Sequence, residues 1–561
     1  MGGTVPSHRH IIVAAAVATS LVVGPGLAVA AGTGTSGAPA HPAAGAVALT
    51  PAEPLDDIVA SAFGTVRSPV EASVRQQGKA AAKAQGAAAA KANESLAVGL
   101  GVFGISAYSV RALTWINSDT VPVDLVIDWG DGTSDRFNGV DKGEAAHEHT
   151  YSSLGQYTVT ATVRDGAGEA STNSVTTATA GNKFTPVGPT RLLDTRDGTG
   201  APAGRVQPWG EIRVRIDGNG GIPEGASAVA LNLTVVDPSG GAGHIIAYPS
   251  GENRPETSNV NYTAGQTVPN LAIVPVGDDG YVTLFNRGDA AVDLLADVAG
   301  YFNESESAGY TAVGPTRLVD TREGLGANLG QVPGWTSFPV QAAGLAGVPA
   351  GARAVALNVT VTDPQSDGHL TVYPGDRQAP SVSNLNFRRG QTIANAVIVP
   401  VDASGRIQVL NGAQGASDVI VDVVGYYGDG GSSFVPVPPQ RLQDTRNVPD
   451  GSILSQNYAY LRLSPSYRKF TGFVFNTTVT NTQADGHLTV FPDPNSNEQY
   501  DNGTAAWPVK PNASTLNWKA GETVPNLVQA DPGPNKIIDF MNSSGGNVDL
   551  VVDMFGLYLD F

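Results

Sequence analysis

The sequence predicts an all-β protein: a small two-sheet sandwich followed by three tandem domains of β-sandwich or jelly-roll type, preceded by a low-complexity stalk. Three observations predict this. The 561 residues carry 15% charged residues and 68 glycines, which argues against a coiled coil or long helical bundle. Short runs of alternating apolar and polar residues stand between turn-forming clusters. A long internal repeat, finally, occupies most of the chain. The net charge of −18 gives no electrostatic reason to bind nucleic acid or anionic lipid. The absence of cysteine removes disulfides, thiolate metal sites and cysteine nucleophiles.

Residues 1–30 read as a secretory signal. Arg9 lies in a basic start, Ile11 to Val23 is apolar, and Ala28-Val29-Ala30 supplies a small-x-small cleavage site. The apolar run is shorter than the ~20 residues that cross a bilayer, so no membrane span is expected after cleavage. Residues 31–94 are rich in Ala, Gly and Pro and read as linker, with a solvated helix over Pro69 to Asn93, where Lys79, Lys83 and Lys91 punctuate an alanine-rich run.

Residues 95–180 change to alternation. Val123 to Trp129 reads as a strand, Gly130-Asp131-Gly132-Thr133 as a tight turn, and Tyr157 to Val163 as a second strand of period two. With His149-Thr150-Tyr151, Gly155 and Asp165 in order, this segment resembles the PKD domain, an immunoglobulin-like sandwich. The resemblance implies an extracellular spacer or contact module without catalysis. Trp129 and Tyr157 are read as packing residues between the sheets. The alternative is a metal site using Asp128, Asp131, Asp135, His147 and His149, but these lack ligand spacing.

Phe184 to Arg196 returns as Tyr310 to Arg322 and as Phe434 to Arg446, a period of about 125 residues. That is too long for a solenoid repeat, so 181–303, 308–428 and 432–561 are expected to be autonomous domains (modules 1 to 3) of eight to ten strands each. The third departs most, with a polar insertion from Asp493 to Pro511. The Leu-Asp-Thr-Arg repeats resemble tandem modules of secreted actinomycete proteins, a resemblance that implies no particular activity.

Asp194 and Arg196, Asp320 and Arg322, and Asp444 and Arg446 lie two apart, so on an extended segment each pair faces one side. A hydrogen-bonded structural role is preferred to ligand binding. The repeated Asn232, Asn261, Asn270 and Asn286 suit turn caps or a sugar-binding face, and His244, His369 and His487 suit turns. Trp209 and Trp335 fall at comparable loop positions, where the third module offers Tyr458 and Tyr460; Trp209, Trp335 and Tyr458 are the candidate ligand contacts, since an exposed ring stacks on a sugar face or a partner. Edge packing is the competing reading.

No Gly-x-Ser-x-Gly elbow, His-Glu-x-x-His or Walker loop occurs, and no catalytic residue, cofactor or metal is assigned. The expectation is a secreted, non-enzymatic protein, free or non-covalently associated with the cell wall. Its expected partners are a polysaccharide or cell-wall polymer, or an extracellular protein, bound multivalently by repeated modules. An extracellular hydrolase or its accessory chain, and a structural component of a surface assembly, are the alternatives.

Overall fold

The structure is a computed structural model that describes residues 46–49, 65–76, 93–304, 307–448, 451–463 and 470–560. The expected signal segment at 1–30 lies outside these. Among the described residues, no helix is long and apolar enough to cross a membrane.

The N-terminal sandwich uses β2 (Thr65–Ser68), β3 (Val74–Gln76), β4 (Ala97–Gly104), β5 (Ser109–Asn117), β6 (Val123–Asp128), β7 (Ser134–Val140), β8 (Gly143–Thr150), β9 (Gln156–Arg164) and β10 (Ala170–Ala178). One sheet runs β2-β4-β5-β8 and the other β3-β10-β9-β6-β7. Val159, Ala161 and Val163 alternate inward along β9 to meet Leu100, Leu125, Ile127 and Trp129. Gly130 has φ +83°, and a Cβ there would lie 2.7 Å from the Thr158 carbonyl oxygen, so the turn needs glycine.

The stalk reading needs correction. Part of 31–94 is built into the fold: β2 and β3 are edge strands of the sandwich, and β1 (Val47–Leu49) pairs in parallel with β28 (Tyr458–Arg462), far along the chain. The expected helix over 69–93 is replaced, where described, by a 3-10 turn at Val70–Ala72 and by β3; residues 77–92 lie outside the described set. Tertiary contacts override helix propensity here. Asn173 donates to the Ser68 and Pro69 carbonyls, and the Arg75 guanidinium to those of Asn93 and Glu94.

Among the described residues, each repeat forms eight strands. Module 1 contains β11 (Lys183–Asp194), β12 (Glu211–Arg215), β13 (Ala228–Val236), β14 (Ala242–Pro249), β15 (Val260–Thr263), β16 (Val268–Pro275), β17 (Tyr281–Gly288) and β18 (Asp293–Asn303). Module 2 contains β19 (Gly309–Asp320), β20 (Thr336–Gln341), β21 (Ala354–Thr362), β22 (Gly368–Pro374), β23 (Leu385–Phe387), β24 (Ile393–Pro400), β25 (Arg406–Asn411) and β26 (Asp418–Gly428). Module 3 contains β27 (Ser433–Asp444), β28, β29 (Phe470–Thr480), β30 (Gly486–Pro492), β31 (Leu516–Trp518), β32 (Val524–Ala530), β33 (Ile537–Ser544) and β34 (Asp549–Leu559). In every module the sheets run first-eighth-third-sixth and second-seventh-fourth-fifth, the strand order of a jelly roll; β1 only extends the second sheet of module 3.

The modules do not string out; they close on one another. Along β13, Val229, Leu231, Leu233 and Val235 fill the module's own core, while Ala228 and Ala230 on the other face enter a central cluster shared by all three modules. That cluster holds Phe184 and Phe302 of module 1, Tyr310 and Tyr427 of module 2, and Phe434, Phe555 and Tyr558 of module 3. Asparagines close the ring. The Asn395 amide donates to Asn232 Oδ1 at 3.0 Å, Asn526 to Asn358 Oδ1 at 2.9 Å, and Asn270 to Asn476 Oδ1 at 2.8 Å. In turn Asn232, Asn358 and Asn476 donate to the carbonyls of Ser383, Ser514 and Ser258. The contact is head-to-tail and closes after three steps, a pseudo-threefold ring within one chain. The N-terminal sandwich docks against module 3: Ala107, Tyr108 and Leu154 join that module's core.

Candidate functional site

The repeated Asp and Arg residues form one ladder per module. Arg191 makes a two-pronged pair with Asp297 (2.7 and 3.0 Å) and reaches Asp194 at 2.9 Å; Arg196 grips both oxygens of Asp194 at 2.8 and 2.6 Å. Modules 2 and 3 repeat this with Arg317, Asp422, Asp320 and Arg322, and with Arg441, Asp553, Asp444 and Arg446. Hydrogen bonding from Arg196 holds the Asp194 carboxyl down to about 2, whereas burial pushes Asp297, Asp422 and Asp553 up. The intervening Thr195 is buried and donates to Asp293. Every carboxylate of the ladder is thus occupied by the protein itself. Arg191, Arg317 and Arg441, which sequence reasoning passed over, stand three residues before each Asp in the same repeated motif.

The repeated asparagines are equally internal. Asn232 and Asn270 belong to the ring interface, and Asn286 is buried within module 1, where its amide donates to the carbonyls of Val206, Gln207 and Ala290. A sugar-binding role for these three is therefore corrected. His244 is shielded at the module 1–module 3 boundary, where burial, first, and the nearby Arg287 and Arg441 lower its pKa to about 4. In the N-terminal sandwich, the Asp and His residues weighed as metal ligands have local partners. Asp128 accepts from the Gly130 amide, Asp135 from the Trp129 indole at 2.9 Å, and Asp131 pairs with His149 at 2.9 Å; His147 packs on Phe137.

Asn286 has a second consequence. Its clamp fixes the loop that carries Trp209, whose amide donates to the Asn286 carbonyl at 2.9 Å. In module 2, Asn411 clamps Val332, Pro333 and Gly415 in the same way and accepts from the Trp335 amide at 2.8 Å. Both tryptophans sit at φ +57°, a left-handed conformation that costs a side-chain-bearing residue roughly 1–2 kcal/mol. Both indoles are nonetheless pushed outward, 56% and 66% exposed. Trp209 stands edge-on to Phe285, with the Arg254 guanidinium 4.1 Å over the Phe285 ring and Tyr248 donating to Glu211 at 3.2 Å. Trp335 stands edge-on to His369.

Module 3 differs, and the Tyr458 expectation is corrected. The residue at φ +55° there is Gln456, while Tyr458, two positions on, points inward and is 0% exposed. The insert, with helix α1 (Asn497–Asp501), lies over this sheet face: Trp507 stands edge-on to Tyr458 at 5.2 Å, and Tyr500 stacks on Tyr460 at 4.1 Å. Loop length, invisible to alignment by aromatic spacing alone, decides which ring is exposed. Among the described residues, no group of three or more His, Cys, Asp or Glu is placed to hold a metal ion.

No family model and no curated protein matches the sequence. Among solved structures, a carbohydrate-binding module of the β-sandwich superfamily is similar at 13% identity and TM-score 0.13, covering 35% of this chain and 92% of that one. The atomic structure of Sulfolobus turreted icosahedral virus is similar at 10% identity and TM-score 0.14, covering 68% and 91%. A triple jelly-roll structure from an archaeal virus is similar at 8% identity and TM-score 0.14, covering 68% and 90%. With scores this low, the jelly-roll assignment rests on the strand order itself.

Proposed function

We propose that this is a secreted, non-enzymatic binding protein that holds two aromatic platforms, one on module 1 and one on module 2, against a polysaccharide or cell-wall polymer. The observation that carries this reading is the pair Trp209 and Trp335: two outward indoles, each kept in a strained backbone conformation by a buried asparagine clamp. Strain of this kind persists where the surrounding structure over-determines it, and rigid exposed rings stack on sugar faces at low entropic cost. The closed ring makes the two platforms parts of one rigid body, so a polymer long enough to reach both gains avidity. In the same reading, the N-terminal sandwich, with its PKD-like motif, is a spacer.

The test is retention of the chain from Ala31 to Phe561 on insoluble peptidoglycan, chitin and cellulose, beside Trp209→Ala, Trp335→Ala and the double variant. Each single change is expected to weaken binding about tenfold, near 1.4 kcal/mol, and the double change to abolish retention. Wild-type retention by the double variant on a polymer that the parent binds, or no retention of the parent on any of them, would overturn the proposal; the second outcome would favour a protein partner.

A further inference from the structure

Module 3 carries a pair of buried carboxyl groups that modules 1 and 2 lack. Asp539 lies mid-strand in β33, opposite Tyr460 of β28 on one side and Phe491 of β30 on the other. It is fully buried, and among the described residues no donor group reaches its oxygens; its hydrogen-bonding neighbour is a second carboxyl, that of Asp493. Asp493 follows β30, its amide bonded to the Ile537 carbonyl at 2.9 Å, which brings it diagonally beside Asp539. It is buried as well, and its carboxylate accepts from the Asn495 amide and the Tyr500 hydroxyl. The Tyr500 and Tyr458 hydroxyls are 3.2 Å apart. The corresponding residues on β17 and β25 are Thr283 and Gln408, which are neutral.

A fully buried carboxylate with no donor costs several kcal/mol, and two carboxylates side by side repel. A cation or a proton would relieve this. Calcium takes carboxylate, carbonyl and water oxygens, whereas here two of the six side-chain oxygens are phenolic and the Asp493 carboxylate already accepts from the Asn495 amide and the Tyr500 hydroxyl. A proton needs only one donor and one acceptor. The remaining charged or titratable groups around Asp539 are Tyr458, Tyr460 and Arg462 on β28 and Tyr500 on α1. Of these, only Arg462 is cationic, and it is drawn to Asp501 and lies over the Tyr460 and Tyr500 rings.

We propose that Asp493 and Asp539 share one proton, which latches the module 3 insert onto its sheet, and that loss of this proton releases 493–511 and uncovers Tyr458, Tyr460 and Phe491. In the latched state Asp539 O–H donates to the Asp493 carboxylate, and Asp493 anchors Tyr500 and with it α1. Deprotonation converts the donor into a second anion, and the repulsion falls on the group that holds the insert. Burial and the neighbouring Asp493 push the Asp539 carboxyl up to about 10, so the latch is closed at neutral pH and opens in base. The face uncovered is the one that modules 1 and 2 leave open beside Trp209 and Trp335.

The experiment is hydrogen–deuterium exchange of the intact protein between about pH 6 and pH 10, corrected for intrinsic exchange rates, with peptides spanning 493–511 as the readout. Wild type is expected to lose about tenfold or more of its protection there as pH rises. Asp539→Asn keeps a neutral donor that has no proton to lose, so its protection should not change with pH. Infrared spectroscopy of the wild type supplies a readout that does not depend on the variant folding: a protonated carboxylic acid band at neutral pH that fades in base. Constant protection across the range, absence of that band, or protection that calcium raises and chelator lowers at neutral pH would each overturn the latch.

Discussion

Replacing Asn395 with alanine tests the ring most directly. Its side chain makes three contacts: its amide donates to Asn232 Oδ1 at 3.0 Å and to the Asn384 carbonyl, and its own oxygen accepts from the Leu271 amide at 3.2 Å. Two of these three cross from module 2 to module 1. Alanine leaves the Leu271 amide, a buried backbone donor, with no acceptor, at a cost of about 1–3 kcal/mol; the two other lost bonds add about 1 kcal/mol each. The expected loss is therefore about 3–5 kcal/mol, read from the urea midpoint of the 181–561 transition, with faster exchange of the Leu271 amide. Asn270→Ala and Asn526→Ala break the same contact at the other two interfaces, to the Leu527 and Ala396 amides, and should cost a similar amount. Combining Asn232→Ala with Asn395→Ala should cost less than the two singles together, because the pair shares one bond. A loss below about 1 kcal/mol with an unchanged Leu271 amide would mean that the modules do not close in solution.

Three further outcomes follow from the same contacts. Arg191→Ala should destabilise module 1 by about 3–5 kcal/mol, measured by denaturation, because it strands the buried Asp297 carboxyl; the alternative would be a loss no greater than that of an exposed arginine such as Arg213. The Asp194 carboxyl is held down to about 2 by Arg196, so its contribution is complete above the unfolded value of about 3.9 and is lost as pH falls through 2. An acid titration followed by circular dichroism should accordingly show unfolding setting in below about pH 4, shifted upward in Arg196→Ala. Trp209→Gly relieves the left-handed strain while giving up little buried area, so its denaturation midpoint should match or exceed that of wild type even as polymer retention falls.

Much of the fold was legible because the physics that writes it is local. Alternation along β9 and in the repeated runs announces strands, and the Gly130 turn announces a hairpin, since both depend on neighbours in sequence. What joins the modules is not local. Asn232 and Asn395 are one contact spread over two copies, and three near-identical copies give no sign of which asparagine answers which. The sequence does carry one clue to the contact. In Ala230-Leu231-Asn232-Leu233-Thr234-Val235, the face opposite the leucines is small and neutral, not charged, which suits close approach of another body better than water. The candidate site divides in the same way. Trp209 and Trp335 were readable as loop residues in register, but the third platform was not, because the insert that buries Tyr458 begins more than thirty residues downstream. The strands β1 to β3 were missed for a related reason: short edge strands in an Ala-rich stretch acquire their form from the sheet they join.

Ring closure also explains how the third module could diverge without the body coming apart. The first-eighth-third-sixth sheet of each module is buried twice, by its own core and by the centre, and there the three copies remain alike: Asn270, Asn395 and Asn526 all play one part. Differences at the centre are mutually compensated. Where module 1 has Phe302 and Ile273, modules 2 and 3 supply Tyr427 and Tyr558, whose hydroxyls meet at 2.8 Å, and Gln529 donates to both at 2.7 Å. This buried polar trio is satisfied only when modules 2 and 3 are neighbours in the observed sense, so it opposes the reversed cyclic order that three similar modules would otherwise permit. The second sheet of each module faces away from the axis and is free of that constraint. It is there that modules 1 and 2 hold out an indole and module 3 instead folds its own insert over the face, with Asp539 beneath it.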